Sequence, residues 1–350
     1  MDRSLRKLEH IRHALSAQEM EGSVFDDVRF VPNSLPDSRY ADTSLICDLG
    51  PFRLSSPILI NAMTGGAEQT TQINRKLAII ARERGLAMAV GSQMAALRDP
   101  TVRHSYQVVR EEHPHGIIFA NVGAEATVEE AQAAVDMIEA DGLQIHLNVM
   151  QELLMPEGDR EFRGYLERIS SIRESVNVPV IVKEVGFGMA RSSIQELVGI
   201  GVDLIDVGGK GGTNFARVEN MRRTEPLVMF EEWGLSTVES LLEASCATGL
   251  TTQFIATGGI RNGYDAAKAL ALGASASGIA GAMLKCVQTM SLEECMEAVD
   301  MWHHQIRIVM TALGVKRVSG LSEQPLLITG KTAELARLRG ISLERWAQKK

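Results

Sequence analysis

The sequence predicts an α/β fold in which eight parallel strands close into a (β/α)8 TIM barrel. Eight short apolar runs each end in small or polar residues, and helical patterns lie between them. The main alternative is a doubly wound sheet, but no GxGxxG sequence follows the first run. The apolar runs are residues 58–63, 86–91, 117–122, 143–149, 178–185, 204–208, 254–259 and 276–280.

Apolar residues at helical spacing separate these runs and continue beyond the last of them. We expect one domain over residues 1–350, with an N-terminal arm and hairpin in 1–56, the barrel in 57–290 and C-terminal helices in 291–350. The predicted helices between the runs are 69–84, 128–140, 159–175, 192–199, 237–248 and 263–272. Those predicted to cover the barrel are 292–313 and 333–347.

Three further segments allow separate predictions. Residues 3–15 form a short basic helical pattern, which is either a solvated helix face or an arm that folds over a phosphate-bearing ligand. Gly50 and Pro51 separate two short apolar segments, which predicts a hairpin that plugs the barrel floor. Residues 210–234 lack clear periodicity, so we interpret them as a mobile lid or as a disordered insertion.

Composition limits the class of partner. The formal net charge of -8 argues against a nucleic-acid partner. The four cysteines show no paired metal-ligand spacing and predict reduced thiols in a cytoplasmic protein. No apolar run approaches the length of a membrane span, and the first residues lack the apolar core of a signal peptide, so we expect no membrane partner.

The segment 144–152 carries the densest group of polar side chains. Gln144, His146 and Asn148 alternate with apolar residues, which predicts a strand with one polar face, and Gln151 and Glu152 follow its carboxyl end. In a barrel, catalytic groups gather at that end. The segment is therefore a candidate site, although a partly solvated strand with a hydrogen-bonded core histidine is the alternative.

Small residues follow the seventh and eighth runs. Gly258 and Gly259 end one, and Ala280 and Gly281 end the other, while Thr213 adds a hydroxyl group after the sixth. Barrels bind phosphate at these ends because small residues expose backbone N–H groups and a helix N-terminus adds partial positive charge. The pattern predicts a phosphate cup, with glycines that serve only tight turns as the alternative.

The first three runs end in residues suited to a flat polar ring. Met63 and Thr64 end the first run, Ser92 the second and Asn121 the third, and they offer amide and hydroxyl partners. With a phosphate cup on the other side of the barrel, a phosphorylated ring cofactor would span both groups.

Lys183 lies in the middle of an apolar strand, and a lysine buried there needs an anionic partner. We consider a Schiff-base nucleophile, a fixed cation beside the N1–C2=O edge of a reduced flavin, and a salt bridge to Glu184 or Asp206.

With the following motifs the chain resembles, over nearly its full length, the type 2, FMN-dependent isopentenyl diphosphate isomerases. The motifs are Arg6-Lys7-Leu8-Glu9-His10, Met63-Thr64-Gly65-Gly66, Gly91-Ser92-Gln93, His146-Leu147-Asn148 with Gln151-Glu152, Met155-Pro156-Glu157-Gly158, Lys183-Glu184-Val185-Gly186, Gly211-Gly212-Thr213 and Thr257-Gly258-Gly259.

The resemblance implies an isomerase that interconverts isopentenyl diphosphate and dimethylallyl diphosphate in isoprenoid biosynthesis. It implies FMN, Mg²⁺ and NADPH as reductant, and a cytoplasmic homo-oligomer, a tetramer or octamer. In this mechanism the reduced flavin transfers the protons, with Gln151 as the alternative donor of the first proton. Gln151 also orients the alkene, Lys183 holds the anionic flavin, and His146 and Asn148 are further catalytic residues.

The resemblance also assigns residues to each ligand. For FMN they are Ala62, Met63, Thr64, Ser92, Asn121, Lys183, Thr213, Gly258, Gly259, Ala280 and Gly281. For the substrate they are Arg6, Lys7, His10, Arg98, His146, Asn148 and Gln151, with Glu152 on the metal.

Two other functions fit parts of this pattern. An FMN-dependent 2-hydroxy acid oxidase needs a histidine base late in the barrel, whereas His303 and His304 fall in a helical stretch. A regulatory flavin- or phosphate-binding protein would not need His146, Asn148, Gln151 and Glu152 close together.

Overall fold

Eight parallel strands form a closed barrel in the computed structural model, which describes residues 22–247 and 251–349. The predicted (β/α)8 barrel is confirmed. The basic segment with Arg6, Lys7 and His10 lies outside the described residues. The strands are β1 (Val28–Phe30), β2 (Cys47–Leu49), β3 (Phe52–Leu54), β4 (Ile58–Ile60), β5 (Ala87–Ala89), β6 (Ile118–Gly123), β7 (Gly142–Leu147), β8 (Val180–Glu184), β9 (Leu204–Asp206), β10 (Gln253–Thr257), β11 (Ala276–Ile279) and β12 (Leu326–Ile328).

At least one helix follows each of the barrel strands β4 to β11, so helices cover the outside of the closed sheet. Of the described helices, none combines the length and the apolar composition that a bilayer crossing requires. The helices are α1 (Glu68–Arg84), α2 (Met94–Arg98), α3 (His104–Glu112), α4 (Val128–Met137), α5 (Val149–Leu154), α6 (Tyr165–Ser175), α7 (Arg191–Gly199), α8 (Phe215–Asn220), α9 (Thr237–Ala244), α10 (Gly263–Ala271), α11 (Gly281–Thr289), α12 (Leu292–Leu313), α13 (Gly330–Leu338) and α14 (Glu344–Ala347).

Local sequence sets several of these helix starts. Thr127 and Glu130 form a capping box at α4, and Ser236 with Glu239 does the same at α9. In each box the hydroxyl accepts from the third helical N–H group while the glutamate accepts from the capping N–H group. The predicted helix at 292–313 is confirmed with the same bounds, because Ser291 caps it in this way.

Several predicted elements have different bounds in the structure, and two of them change the interpretation. The strand predicted to run to Val149 ends at Leu147, and Val149 already belongs to α5, so that part of the prediction is wrong. The helix predicted over 333–347 is two helices, α13 and α14. It breaks where Gly340 adopts a left-handed φ of 67°, a conformation that ends helices.

The amino-terminal end of the barrel is closed by apolar side chains. Strands β2 and β3 pair as the predicted antiparallel hairpin. Phe52 of this hairpin packs edge-on against Phe119 of β6, with ring centroids 5.2 Å apart. The same buried cluster contains Leu49, Leu54, Leu59, Phe119, Ile181, Leu204 and Ile255. Polar groups inside the barrel therefore lie above this floor, towards the carboxyl ends of the strands.

The two termini of the described chain meet on the outside of the barrel. Strand β1 pairs antiparallel with β12, which the sequence did not predict because both are three residues long. Asp27 Oδ2 accepts hydrogen bonds from the backbone N–H (3.1 Å) and the hydroxyl group (2.9 Å) of Thr332 in α13. The C-terminal part therefore contains a strand besides its helices, and it holds the start of the described chain.

Residues 210–234 are built of short ordered elements. Helix α8 begins after Asn214, whose Oδ1 accepts from Arg217 N at 3.0 Å, and a 3-10 helix covers Val228–Phe230. Lys210 Nζ donates to Glu232 O at 2.9 Å and so joins the two ends of the segment. The interpretation as a disordered insertion is wrong, whereas movement as a lid stays a prediction.

Candidate active site

His146 and Asn121 form the centre of the polar group inside the barrel. Both lie on neighbouring strands, β7 and β6, and His146 Nδ1 donates to Asn121 Oδ1 at 2.8 Å. Burial and the nearby Lys183 lower the pKa of His146 to about 4. The imidazole is therefore neutral at pH 7, and its Nε2 is an acceptor rather than a second donor.

Lys183 and Asp206 are paired in register on β8 and β9. Lys183 is 5% exposed and donates through Nζ to the backbone oxygen of Glu184 at 2.9 Å. Burial lowers the pKa of Lys183, and the carboxyl groups of Asp206 and Glu184 act against that shift. The Glu184 carboxylate accepts from the N–H groups of Phe187 and Gly188, at 2.6 and 3.0 Å.

Gln144 lies one layer deeper than the sequence suggested. It is fully buried, and its Nε2 donates to Asn61 Oδ1 at 3.0 Å, while its Oε1 has no hydrogen-bond partner in the part of the chain described. Gln144 is therefore part of the barrel interior under His146. Of the predicted polar strand face, Gln144 and His146 point inwards and Asn148 lies beyond the strand.

Helix α5 carries the next group of predicted residues. Asn148 precedes the helix and donates through Nδ2 to Glu152 Oε1 at 2.8 Å, a contact between residues four apart that suits a helical turn. The N–H group of Asp159 donates to Glu152 Oε2 at 2.9 Å. Gln151 is buried on the same helix. The structure thus brings Asn148, Gln151 and Glu152 together on one turn.

A second helix fixes the amide of Gln151, and the sequence did not reveal it. Gln151 Nε2 donates to Glu219 Oε1 at 3.1 Å, and Arg222 Nη1 donates to Glu219 Oε2 at 2.5 Å. Arg222 Nη2 also donates to Glu157, so two connections of the barrel are joined above β7. Glu219 is fully buried. The sequence signal that could have revealed this helix is Asn214, a capping residue that marks the start of α8.

The predicted phosphate cup is a group of tightly packed loops after β9, β10 and β11. A Cβ atom added to Gly258 would lie 1.9 Å from Gly209 O, and one added to Gly212 would lie 3.1 Å from Gly259 N. Helix α11 begins after Ala280 without a side-chain cap. Its first N–H groups therefore have no acceptor within the helix and face the same end of the barrel.

The ends of β4 and β5 are also held by hydrogen bonds. Ala62 N donates to Asn61 Oδ1 at 2.8 Å, and Asn74 Nδ2 donates to Thr64 O at 3.3 Å. Tyr106 donates its hydroxyl hydrogen to Ser92 O at 2.5 Å. Met63 and Ser92 stay partly exposed. Arg98 ends α2 and is exposed.

The histidines considered for an oxidase lie elsewhere. His303 Nε2 is 2.7 Å from Ser56 Oγ, just before the start of β4, and His304 Nδ1 is 2.7 Å from Tyr40 Oη. Ser56 precedes the amino end of a barrel strand, so His303 is at the opposite end from His146. Neither histidine can serve as a base at the carboxyl ends of the strands.

Replacing His146 with asparagine should make stability less dependent on pH. The pKa of His146 is about 4 in the folded protein, below the ordinary value of 6.5, so only the unfolded chain takes up this proton between those values. The unfolding free energy of the wild type should therefore fall by about 3 kcal/mol more than that of H146N between pH 7 and pH 4.

Urea unfolding at several pH values measures this difference. Replacing His115 with asparagine is the control, because this histidine is exposed and lies outside the polar group inside the barrel. Equal pH dependence in H146N and the wild type would show that His146 titrates normally in the folded protein.

Two solved structures of mandelate oxidase share this fold. A mandelate oxidase mutant with a monooxide FMN adduct aligns with a TM-score of 0.63 at 16% identity, covering 91% of this chain and 92% of that chain. A mandelate oxidase mutant with (S)-mandelic acid aligns with a TM-score of 0.63 at 15% identity, covering 93% of this chain and 94% of that one. At this identity the likeness shows the fold alone.

Sequence comparison defines the class and then the family. Residues 157–328 match the model of the family described as FMN-dependent dehydrogenase, so the barrel is of the flavin-binding class. The isopentenyl-diphosphate delta-isomerase of Geobacillus sp. is 51% identical over 341 residues, 97% of each chain. That of Bacillus cytotoxicus is 50% identical over 350 residues, 100% of each chain. The chain belongs to the isopentenyl-diphosphate delta-isomerase family, as its motifs predicted.

Proposed function

We propose that this chain interconverts isopentenyl diphosphate and dimethylallyl diphosphate, with reduced FMN and Mg²⁺. One observation carries the proposal: in a chain of this family, His146, Asn148, Gln151 and Glu152 lie together at the carboxyl end of the barrel strands. His146 is fixed by Asn121, Asn148 and Glu152 bond to each other, and Gln151 is fixed by Glu219 of α8.

The described residues fit FMN. The loop at Gly258 leaves no room for a Cβ atom, the loop at Gly212 leaves little, and the start of α11 presents backbone N–H groups, which suits a phosphate. Lys183 supplies a buried positive charge for the ring. The residues that would hold FMN are Ala62, Met63, Thr64, Ser92, Asn121, Lys183, Thr213, Gly258, Gly259, Ala280 and Gly281. When bound and reduced, FMN supplies an electron-rich ring and a nitrogen that exchanges protons.

The chain's own residues bind and orient the substrate. An alkene is a very weak base, so its position and the exclusion of water decide whether a proton reaches the terminal carbon. The amide of Gln151 is fixed by Glu219 and can face the alkene in one orientation only. Neutral His146 adds no positive charge that would oppose a cation-like transition state, and Asn148 completes this polar surface.

Glu152 is the proposed magnesium ligand. Among residues 22–247 and 251–349 no group of three histidine, cysteine or acidic side chains could hold a metal ion. Mg²⁺ commonly takes one or two carboxylates and completes its octahedron with substrate phosphates and water. A single carboxylate at the mouth therefore suits a cation that arrives with the diphosphate.

The basic arm is proposed to cover the diphosphate. Residues 22–24 lie beside the phosphate cup: Arg261 Nη1 donates to Gly22 O at 2.8 Å, and a Cβ atom on Gly211 would lie 2.5 Å from Val24. The described chain thus begins at the mouth of the barrel. Arg6, Lys7 and His10 would meet the diphosphate together with Arg98.

Other parts of the proposal concern the whole enzyme. NADPH is the expected reductant, and the expected form is a cytoplasmic homo-oligomer, a tetramer or an octamer. The chain is expected to act as one domain in isoprenoid biosynthesis.

Incubating the dithionite-reduced enzyme with isopentenyl diphosphate and Mg²⁺ tests the function. We expect dimethylallyl diphosphate to form over many turnovers without net consumption of reductant. Enzyme loaded with 5-deazaFMN should be inactive, because its ring lacks the proton-exchanging nitrogen at position 5. Absence of product from the reduced enzyme, or oxidation of a 2-hydroxy acid in its place, would contradict the proposal.

A further inference from the structure

Lys183 has one inward-facing anion on the neighbouring strand. Lys183 and Asp206 stand opposite each other on β8 and β9, and Asp206 is fully buried. Glu184 follows Lys183 in the same strand, so its side chain leaves on the other face, where it accepts from Phe187 N. An ammonium in a dry barrel interior stays charged only with a compensating anion nearby.

Three donors hold the Asp206 carboxylate. Its Oδ1 accepts from Thr257 Oγ1 at 2.5 Å and from Gly208 N at 3.1 Å, and its Oδ2 accepts from Asn61 Nδ2 at 2.8 Å. Hydrogen bonds to the charged form of a carboxylate favour that form. The donors come from β10, from the loop after β9 and from the residue that follows β4, so the carboxylate is fixed from three directions.

The orientation of Asn61 is fixed as well. Its Oδ1 accepts from Gln144 Nε2 at 3.0 Å and from Ala62 N at 2.8 Å. With the oxygen held by two donors, the amide must present Nδ2 to Asp206. Burial raises the pKa of Asp206, and the charge of Lys183 together with these three donors acts against that rise and favours the carboxylate.

We propose that Asp206 is a positioning residue that keeps Lys183 charged and thereby sets the ionisation and the reduction potential of the flavin. The inference rests on the proposed function only in placing Lys183 beside the flavin ring. The charged or titratable groups that face Lys183 are His146 on β7, Asp206 on β9 and the adjacent Glu184. His146 is neutral and Glu184 faces the following loop, so Asp206 supplies the compensating charge inside the barrel.

The test compares Asp206→Asn with the wild type, both as the full chain loaded with FMN. Without the carboxylate, Lys183 loses its charge and no longer favours the anionic reduced flavin. In D206N the absorbance change of the reduced flavin on deprotonation should move to higher pH. Reduced FMN should lose at least tenfold in affinity relative to oxidised FMN, which lowers the midpoint potential of this two-electron couple by about 30 mV.

Gln144→Met is the matched control. It removes a donor from the same buried network and leaves every charge in place. A structural role for the network would weaken binding of oxidised and reduced FMN alike in both variants, without moving the pH profile. If D206N keeps the wild-type profile and potential, or if Q144M shifts them equally, the proposal is wrong.

If D206N does not fold, the double variant K183M/D206N decides the question. If the double variant folds, burying Lys183 without its anion caused the failure, and this supports the pairing of Asp206 with Lys183 on which the proposal is built. If the double variant also fails, Asp206 supports the strands rather than Lys183 and the proposal is overturned. A wild-type enzyme without isomerase activity would refute the proposed function, and the flavin titration of D206N would still decide this inference.

Discussion

Replacing Glu152 with glutamine should lower magnesium-dependent isomerisation by about 100-fold, which corresponds to ~3 kcal/mol of lost transition-state stabilisation. The carboxylate is the one acidic group on α5, and Asn148 and the N–H group of Asp159 already fix its orientation. Glutamine keeps the length of the side chain but loses the charge that a divalent cation needs. Flavin should remain bound because the cup lies on other strands.

Initial rates measured over a range of Mg²⁺ concentrations, with the flavin spectrum of each sample, check this result. Glu161→Gln is the control, because Glu161 is an exposed carboxylate on the same connection and pairs with Arg163. E161Q should behave as the wild type. An unchanged rate and magnesium response in E152Q would remove Glu152 from the metal site.

Replacing Gly258 with alanine should abolish FMN binding and destabilise the fold by at least ~3 kcal/mol. Gly258 has a φ of 101°, and the added methyl group would lie 1.9 Å from Gly209 O and 2.9 Å from Thr237 Oγ1. The collision is with backbone on the neighbouring strand end, so a rotamer change cannot relieve it. The loops after β9 and β10 must separate, and the cup opens.

Gly273→Ala separates strain from collision. Gly273 has a similar φ of 112°, but nothing lies within 4 Å of an added Cβ atom. Thermal unfolding and FMN titration should show a small loss of stability in G273A with normal FMN affinity. Tight FMN binding by G258A would mean that the cup does not hold the phosphate.

The fold could be predicted because each barrel strand leaves a local signal, an apolar run that ends in small or polar residues. The end of β7 could not, since the alternation of Gln144, His146 and Asn148 continues one residue past the strand. Asn148 and Glu152 are four residues apart, a spacing typical of a helical turn. This helical spacing overlaps with the strand-like alternation, so the sequence favoured a strand where α5 begins.

Contacts between distant parts of the sequence account for what was missed in the site. The bonds from Gln151 to Glu219 and from Gln144 to Asn61 join residues 68 and 83 positions apart. No local pattern specifies such a pair, because each partner alone reads as an ordinary polar residue. The glycines after β9 and β10 could be singled out from the sequence because glycine lacks a Cβ atom, which by itself allows close approach of the backbone.

The pairing of β1 with β12 constrains how the protein is made. Thr329 Oγ1 donates to Asp27 O across 302 positions of sequence, so β1 finds its partner strand only when most of the chain has left the ribosome. Until then, β1 is an edge without a neighbour, and the parallel barrel beside it also closes late, between β4 and β11. Nascent chains of this enzyme therefore expose unpaired strands for nearly the whole of translation.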